Sequence, residues 1–283
     1  MRRALFAVRQ RLSTGPNLWK GEAMTQLRDK KVLITGAGSG IGRLMALEAQ
    51  RRGAQVVAWD LDAESLQSLT GMSTAVIDVT DREAVYAQAE STGPVDVLIL
   101  NAGVVSGRRL IDLPDDAIEK TMAVNVLALF WCTKAFLPAM MQRNSGHIVT
   151  IASLVGATPV PGMSDYVASK HAAYGFAESL RTELADDAPG VRTTVVMPQV
   201  INTGMFEGVK SPWYFPELTP GYAATSILNA VERNRQRLLL NRPAVLTAYL
   251  VRPLPPAVSD RISRWAGAFD GMKTFHGRSV IDG

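Results

Sequence analysis

From residue 31 onward, short apolar runs alternate with longer stretches whose apolar positions recur at helical spacing. The runs Val32–Thr35, Gln55–Trp59, Thr74–Val79, Val97–Leu100, His147–Ala152, Thr193–Met197 and Arg237–Leu240 predict strands. Several are continuously apolar, which is the pattern of strands covered on both faces. Between them, Ile41–Arg52 and Arg82–Glu90 read as helices. Two further helices are longer. One runs from Pro114-Asp115-Asp116 to about Arg143, with a proline and acids suited to a first turn. The other begins after Pro161-Gly162 and ends near Asp187. This alternation predicts an α/β fold: a doubly wound, seven-stranded parallel sheet flanked by helices over residues 28–240. After Leu240 the pattern changes to prolines 243, 253, 255 and 256 and an amphipathic stretch around Arg261–Phe269. Residues 241–283 thus form a C-terminal extension, packed on the domain, on a partner or on a membrane surface.

The turn after the first strand carries Gly36, Gly38, Gly40 and Gly42, directly followed by a helix. Glycines let backbone N–H groups approach a pyrophosphate, and the helix presents its positive end to that charge. Position in a strand–turn–helix unit is what turns a common glycine string into a Rossmann dinucleotide signal. Asp60 ends the next strand, where a carboxylate can accept from ribose hydroxyls and repel a 2′-phosphate. Ser39 and Leu61 stand where a phosphate-binding base would sit, and both are neutral. The cofactor expected is therefore NAD(H). The competing reading gives Asp60 only the duty of capping the next helix.

Composition narrows the classes. Apolar residues at 47% and charged residues at 20% are those of a soluble globular protein with a sizeable core. The formal charge is +4, and part of the excess lies in the first 20 residues, where Arg2, Arg3, Arg9, Arg11 and Lys20 face no acid. That basic extension, residues 1–27, lacks the apolar core of a secretory signal. A disordered tail, a targeting segment or a membrane-surface helix all fit it, and Met24 is an alternative start of the folded part. Cys132 is the only cysteine, so no intramolecular disulfide forms and a reducing, cytoplasmic setting is expected. No run of 18 or more apolar residues occurs, so no membrane-spanning helix is expected. Neither His147 nor His171 belongs to a cluster with ligand spacing, so no metal site is expected.

The ordered motifs Thr35-Gly-Ala-Gly-Ser-Gly-Ile-Gly42, Asp78-Val79, Asn101-Ala-Gly103, Asn125, Ser153, Tyr166-x-x-x-Lys170 and Pro198…Thr203 resemble those of the short-chain dehydrogenase/reductase family. The likeness covers roughly residues 28–240. "GHIVTIASLVG", "DYVASKHAAYGFAESLRTEL" and "MKTFHGR" are similar to the branch of retinol and 17β-hydroxysteroid dehydrogenases, whose members act on lipophilic alcohols and often associate with membranes. The resemblance implies that Gly36, Ser39, Gly40, Ile41, Gly42, Asp60, Leu61, Asp78, Val79, Asn101, Ala102, Gly103, Tyr166, Lys170, Pro198, Val200 and Thr203 hold the cofactor. It also implies that Asn125, Ser153, Tyr166 and Lys170 are catalytic, with Asn125 supporting a water that links the lysine to solvent. One departure is visible: Gln199 follows Pro198 where the family has glycine.

The chemistry of these side chains is consistent. Tyrosine, with an ordinary pKa of about 10, is a poor base alone, and a nearby cation favours its phenolate. Residues four apart on a helix share a face, with Cβ atoms roughly 5–6 Å apart, which brings Lys170 to Tyr166. Ser153 can hydrogen-bond and polarise a substrate oxygen. Asn125 lies within the apolar run "VNVLALFWC", where a buried amide requires partners.

For the substrate, the resemblance implies a lid near residues 204–220. Val104, Leu154, Met163, Met205, Phe206 and Trp213 are the expected apolar lining, although several could instead pack an oligomer. The expected activity is hydride transfer between nicotinamide and a lipophilic alcohol or ketone, with Tyr166 as general acid/base. A catalytically silent NAD(H) sensor and a 3-oxoacyl chain reductase are the alternatives. The resemblance implies a homodimer or homotetramer; no nucleic-acid partner is expected, and the tail could make peripheral membrane contact.

Overall fold

A computed structural model describes residues 25–156, 159–209, 217–240, 250–251, 253–265, 269, 272 and 275. Trp213 and nearly all of the basic N-terminal extension lie outside them. The strands are β1 Lys31–Thr35, β2 Gln55–Asp60, β3 Ser73–Val76, β4 Val97–Leu100, β5 Gly146–Ile151, β6 Val191–Met197 and β7 Arg237–Leu239. They form one parallel sheet in the order β3-β2-β1-β4-β5-β6-β7. The order reverses between β1 and β4, and ligands bind at such a switch point, beyond the strands' carboxyl ends.

Alternate strand residues feed two cores. Val32 and Ile34 face one layer with Met45, Ala46 and Ala49 of α1 (Gly40–Arg51) and Ile227, Leu228 and Val231 of the late helix Pro220–Glu232. Leu33 faces the other layer, with Val85, Phe136, Met140, Leu180 and Leu184. This two-sided coverage is why the strands read as unbroken apolar runs. Between β2 and β3, α2 (Ala63–Gln67) is capped by Asp62, which accepts from the N–H groups of Glu64 and Ser65. Asp81 caps α3 (Arg82–Thr92) in the same way, through the N–H of Ala84.

Three elements differ from the sequence pattern. β3 stops at Val76, short of Val79, because Asp78 turns the chain by accepting from the N–H and hydroxyl of Thr80 (2.9 and 2.7 Å). The first long helix is not uniform. α4 (Asp115–Met122) and α5 (Ala128–Gln142) are joined by a π-helical turn, Ala123–Leu127. The continuous run Asp115–Gln142 is long and apolar enough to cross a membrane, contrary to the expectation from apolar run length. Here it packs on the sheet and buries Cys132, Phe136 and Met140. The second long helix, α6, spans Ser164–Asp187, and α7 is the Pro220–Glu232 helix. In the C-terminal extension, α8 is Pro256–Trp265, earlier than Arg261–Phe269, since Pro255-Pro256 suits a helix start.

Candidate active site

β1 leads into a turn at Gly36 (φ +66°) and Gly40 (φ +56°), a region where only glycine is unstrained. Packing excludes side chains as well. A Cβ on Gly42 would lie 1.9 Å from the Gly36 carbonyl oxygen and 2.5 Å from Asn101 Nδ2. Asn101, just past β4, braces the turn: its Nδ2 donates to the carbonyls of Thr35 and Gly36, each at 3.0 Å. The N–H groups of Asn101 and Ala102 donate in turn to Thr35 Oγ1 (3.0 and 3.1 Å). No acid occupies the first turn of α1, so its positive end meets the turn uncancelled. Asp60 Oδ2 accepts from the Gly38 N–H (2.7 Å) and Oδ1 from the Asp62 N–H (3.0 Å). Asp62, not Asp60, caps α2. A bare glycine cradle at a helix start, with a carboxylate beyond it, fits a dinucleotide.

The Tyr166–Lys170 pair projects from the first turns of α6, which starts after Gly162 (φ +80°) and the buried Met163. Tyr166 is buried, and the Phe206 ring stands edge-on to it at 5.7 Å between centroids. Burial pushes the phenol above its ordinary value, and a hydrogen bond with Ser153 acts in the opposite sense. Lys170 Nζ lies 5.6 Å from the tyrosine ring centre and donates to the Ile151 carbonyl at 3.0 Å. Burial lowers its ammonium to about 8, which leaves it charged at neutral pH. The expected lowering of the phenol by the lysine is therefore not what prevails in the protein alone: desolvation dominates over the Ser153 hydrogen bond, and Tyr166 rests protonated. Ser153 closes the group from the end of β5, with Oγ 3.4 Å from both the Pro198 carbonyl and the Val155 N–H.

Asn125 explains the π-helical turn. Its Oδ1 accepts from the Val104 N–H (2.8 Å), while Nδ2 donates to the Val104 carbonyl (2.9 Å) and to Ser169 Oγ (2.9 Å). These three bonds draw one buried amide toward the loop after β4 and toward α6, and the local helix widens to supply it. Gly103 sits beside it: a Cβ there would lie 3.3 Å from Asn125 Oδ1 and 3.6 Å from Lys170 Nζ.

One cavity of about 560 Å³ gathers most of these groups. It is lined by Gly36, Ser39, Gly40, Ile41, Gly42, Asp60, Leu61, Asp78, Val79, Asn101, Ala102, Gly103, Val104, Ser153, Tyr166, Lys170, Pro198, Thr203, Met205 and Phe206. Asn125, Leu154, Met163 and Val200 do not line it. Asn125 lies behind the wall at 1% exposure, and Met163 is packed at the start of α6. Leu154 and Val200 belong to backbone pairings, with Pro198 and with Leu218 respectively. The sequence reading missed Ile77, Thr80, Lys120, Ala123, Val124, Ile151, Ala152 and Ile201 on the lining. Lys120 and Val124 share their helix with Asn125, but the direction in which each points depended on the π-helical turn. Gln199, the departure from the family's glycine, also lines the cavity.

The family model described as short chain dehydrogenase matches residues 30–212. Retinol dehydrogenase 10-B of Danio rerio is 42% identical over 261 residues, spanning 79% of this chain and 77% of that protein. A short chain dehydrogenase from Burkholderia cenocepacia J2315, solved in complex with NADP, superposes with a TM-score of 0.75 at 27% identity, covering 84% of this chain and 99% of that one. A short chain dehydrogenase/reductase from Burkholderia phymatum, in complex with NAD, gives 0.73 at 26% identity, covering 81% and 95%.

Proposed function

The chain belongs to the short-chain dehydrogenase family, in its retinol dehydrogenase-like branch, and from this premise we propose that it is an NAD(H)-dependent oxidoreductase of lipophilic alcohols and ketones. The observation that carries the reading is that Tyr166, Ser153 and Lys170 line the same cavity as the bare glycine turn and Asp60. When bound, the nicotinamide supplies the hydride acceptor for an alcohol or the hydride donor for a ketone. The protein's own task is the proton. In reduction, Tyr166, held protonated by burial, gives its phenolic proton to the substrate oxygen, while Ser153 hydrogen-bonds that oxygen. In oxidation the phenolate takes the hydroxyl proton, and the Lys170 ammonium stabilises the charge. Asp60 selects NAD(H) by repelling a 2′-phosphate. Val104, Met205 and Phe206 supply the apolar lining that suits a lipophilic substrate.

The reading extends to self-association and to contact with lipid. Leu127 and Phe130 are exposed beside α6, with the Phe130 ring 4.8 Å from that of Phe176, and this apolar face suits a second copy of the chain. On α8, Val258 and Trp265 are exposed together with Asp260, Arg261 and Arg264, while Ser259, Ile262 and Ser263 are half-buried; exposed apolar side chains beside arginines suit the surface of a membrane at the cytoplasmic side.

Tyr166→Phe tests the core of the proposal. NADH binding by fluorescence is expected to persist, while turnover of retinoid, steroid and secondary alcohols with NAD falls about 10²–10⁴-fold. Unchanged turnover would remove Tyr166 from the mechanism. Cofactor binding by the unmutated protein without turnover on any of these alcohols would favour a silent NAD(H) sensor.

A further inference from the structure

The loop that follows β4 forms one wall of the cavity through Gly103 and Val104, and it is held at three points. Asn125 grips both backbone groups of Val104, at 2.8 and 2.9 Å. Two residues on, Ser106 Oγ donates to Asp165 Oδ2 at 2.7 Å, and the same oxygen accepts from Thr121 Oγ1 at 2.8 Å. Asp165 is 6% exposed, and its other carboxylate oxygen is buried with no hydrogen-bond partner among the described residues. It sits in the first turn of α6, immediately before Tyr166. A pull on Ser106 is therefore a pull on the turn that carries the tyrosine.

The third point comes from outside the sheet domain. Phe275, in the C-terminal extension, occupies the space a side chain at Gly107 would need. A Cβ there would lie 1.9, 2.3 and 2.7 Å from three carbons of its ring. Gly107 also has φ +65°, so two independent demands select glycine at this position. Met272, whose carbonyl accepts from the Phe275 N–H (3.2 Å), approaches the other side of the same region. Its Cβ would stand 3.8 Å from a Cβ on Gly162, in the turn that leads into α6. The extension thus packs on the loop after β4 at Gly107 and lies beside the turn into the tyrosine's helix at Gly162.

We infer that Phe275 is a positioning residue. By seating on Gly107 it holds the loop after β4 against Asp165, and so holds Val104 and the first turn of α6 in register on the substrate side of the cavity. The glycine turn and Asp60 lie on other elements, and the loop braces that turn through Asn101 and Ala102, at its opposite end from Gly107. The inference rests on the proposed oxidoreductase reading, but its geometry can be tested apart from it.

The test compares Phe275→Ala and Phe275→Leu with the unmutated full-length chain, using NADH titration, alcohol turnover, thermal unfolding and hydrogen exchange of the amides at 104–109. With Phe275→Ala, NADH affinity is expected to stay within about twofold, while kcat/KM for the alcohol falls about tenfold to a hundredfold, as for misplaced reacting groups. Exchange at 104–109 should accelerate while the sheet amides keep their protection, and Phe275→Leu should restore much of both. Unmutated kcat/KM and exchange in Phe275→Ala would overturn the inference. So would acceleration spread evenly over the sheet with an equal loss of NADH affinity, which is the signature of general destabilisation. If the unmutated protein turns over no alcohol, the oxidoreductase reading fails, and the exchange at 104–109 alone then decides the positioning role.

Discussion

Replacing Asp60 by Asn separates the two duties that a carboxylate at the end of β2 could have. The substitution is nearly isosteric and keeps one acceptor oxygen for the Gly38 N–H, now bonded at 2.7 Å, so the glycine turn is expected to survive. What disappears is the charge. A hydrogen bond to a charged group contributes about 1.5–3 kcal/mol and a neutral one about 0.5–1.5, so NADH should weaken by about 1 kcal/mol, or roughly fivefold. Two like unit charges at about 4 Å repel by about 1 kcal/mol in water and about 4 kcal/mol at an effective dielectric of 20. Removing that repulsion should strengthen NADPH at least about fivefold. The NADPH-to-NADH affinity ratio should therefore rise by about twentyfold or more, read by fluorescence titration of the same protein with both cofactors. Asp62→Ala is the control. Asp62 is the residue that caps α2, so its loss should cost about 1 kcal/mol of stability and leave the ratio unchanged. An unchanged ratio in Asp60→Asn, or a preference for NADPH in the unmutated protein, would refute the selectivity argument.

Three further outcomes follow from groups on and away from the site. Gly42→Ala places a methyl 1.9 Å from a backbone carbonyl that Asn101 holds fixed, so NADH affinity should fall more than about tenfold, whereas Gly175→Ala, with nothing within 4 Å in the interior of α6, should stabilise the fold by about 0.5–1 kcal/mol in urea unfolding. His147 is fully enclosed, with Nε2 2.7 Å from Thr194 Oγ1, and burial lowers its pKa from 6.5 to about 4. The folded value lies below the unfolded one, so the unfolded chain binds the extra proton: stability is full above pH 6.5 and is lost as pH falls toward 4. Between pH 7 and pH 5 this residue should account for about 2 kcal/mol of lost stability, at about 1.4 kcal/mol per unit. In His147→Gln the loss over that interval should be smaller by that amount, and an equal loss in both proteins would contradict the assignment.

The sheet and the cofactor cradle were legible because each is written in local pattern. Strands covered on both faces are apolar without interruption, and a turn that excludes every side chain must be glycine wherever a carbonyl sits 1.9 Å away, as at Gly42. Asp60 was legible only in part. Its place at the end of β2 followed from spacing, but that Asp62 takes the capping duty is decided by which carboxylate reaches Glu64 and Ser65. The π-helical turn could not be read at all. Ala123–Leu127 has an ordinary helical sequence, and what widens it is the set of bonds from Asn125 to Val104 and Ser169, residues that only the fold brings near. The seat of Phe275 on Gly107 is illegible for the same reason, being a contact between distant parts of the chain.

The tyrosine and lysine show why residue spacing and residue chemistry must be argued separately. Spacing places Lys170 on the face of Tyr166, and it does lie 5.6 Å from the ring. Yet burial acts on both groups in opposite directions, raising the phenol and lowering the ammonium to about 8. A cation that is itself desolvated, and that spends a hydrogen bond on the Ile151 carbonyl, cannot by proximity alone make a buried phenol acidic. The pair is instead poised with both protons in place at neutral pH, which suits donation to a ketone oxygen directly. On the proposed reading, alcohol oxidation would need additional positive charge beside the phenol, which an oxidised nicotinamide would supply when bound.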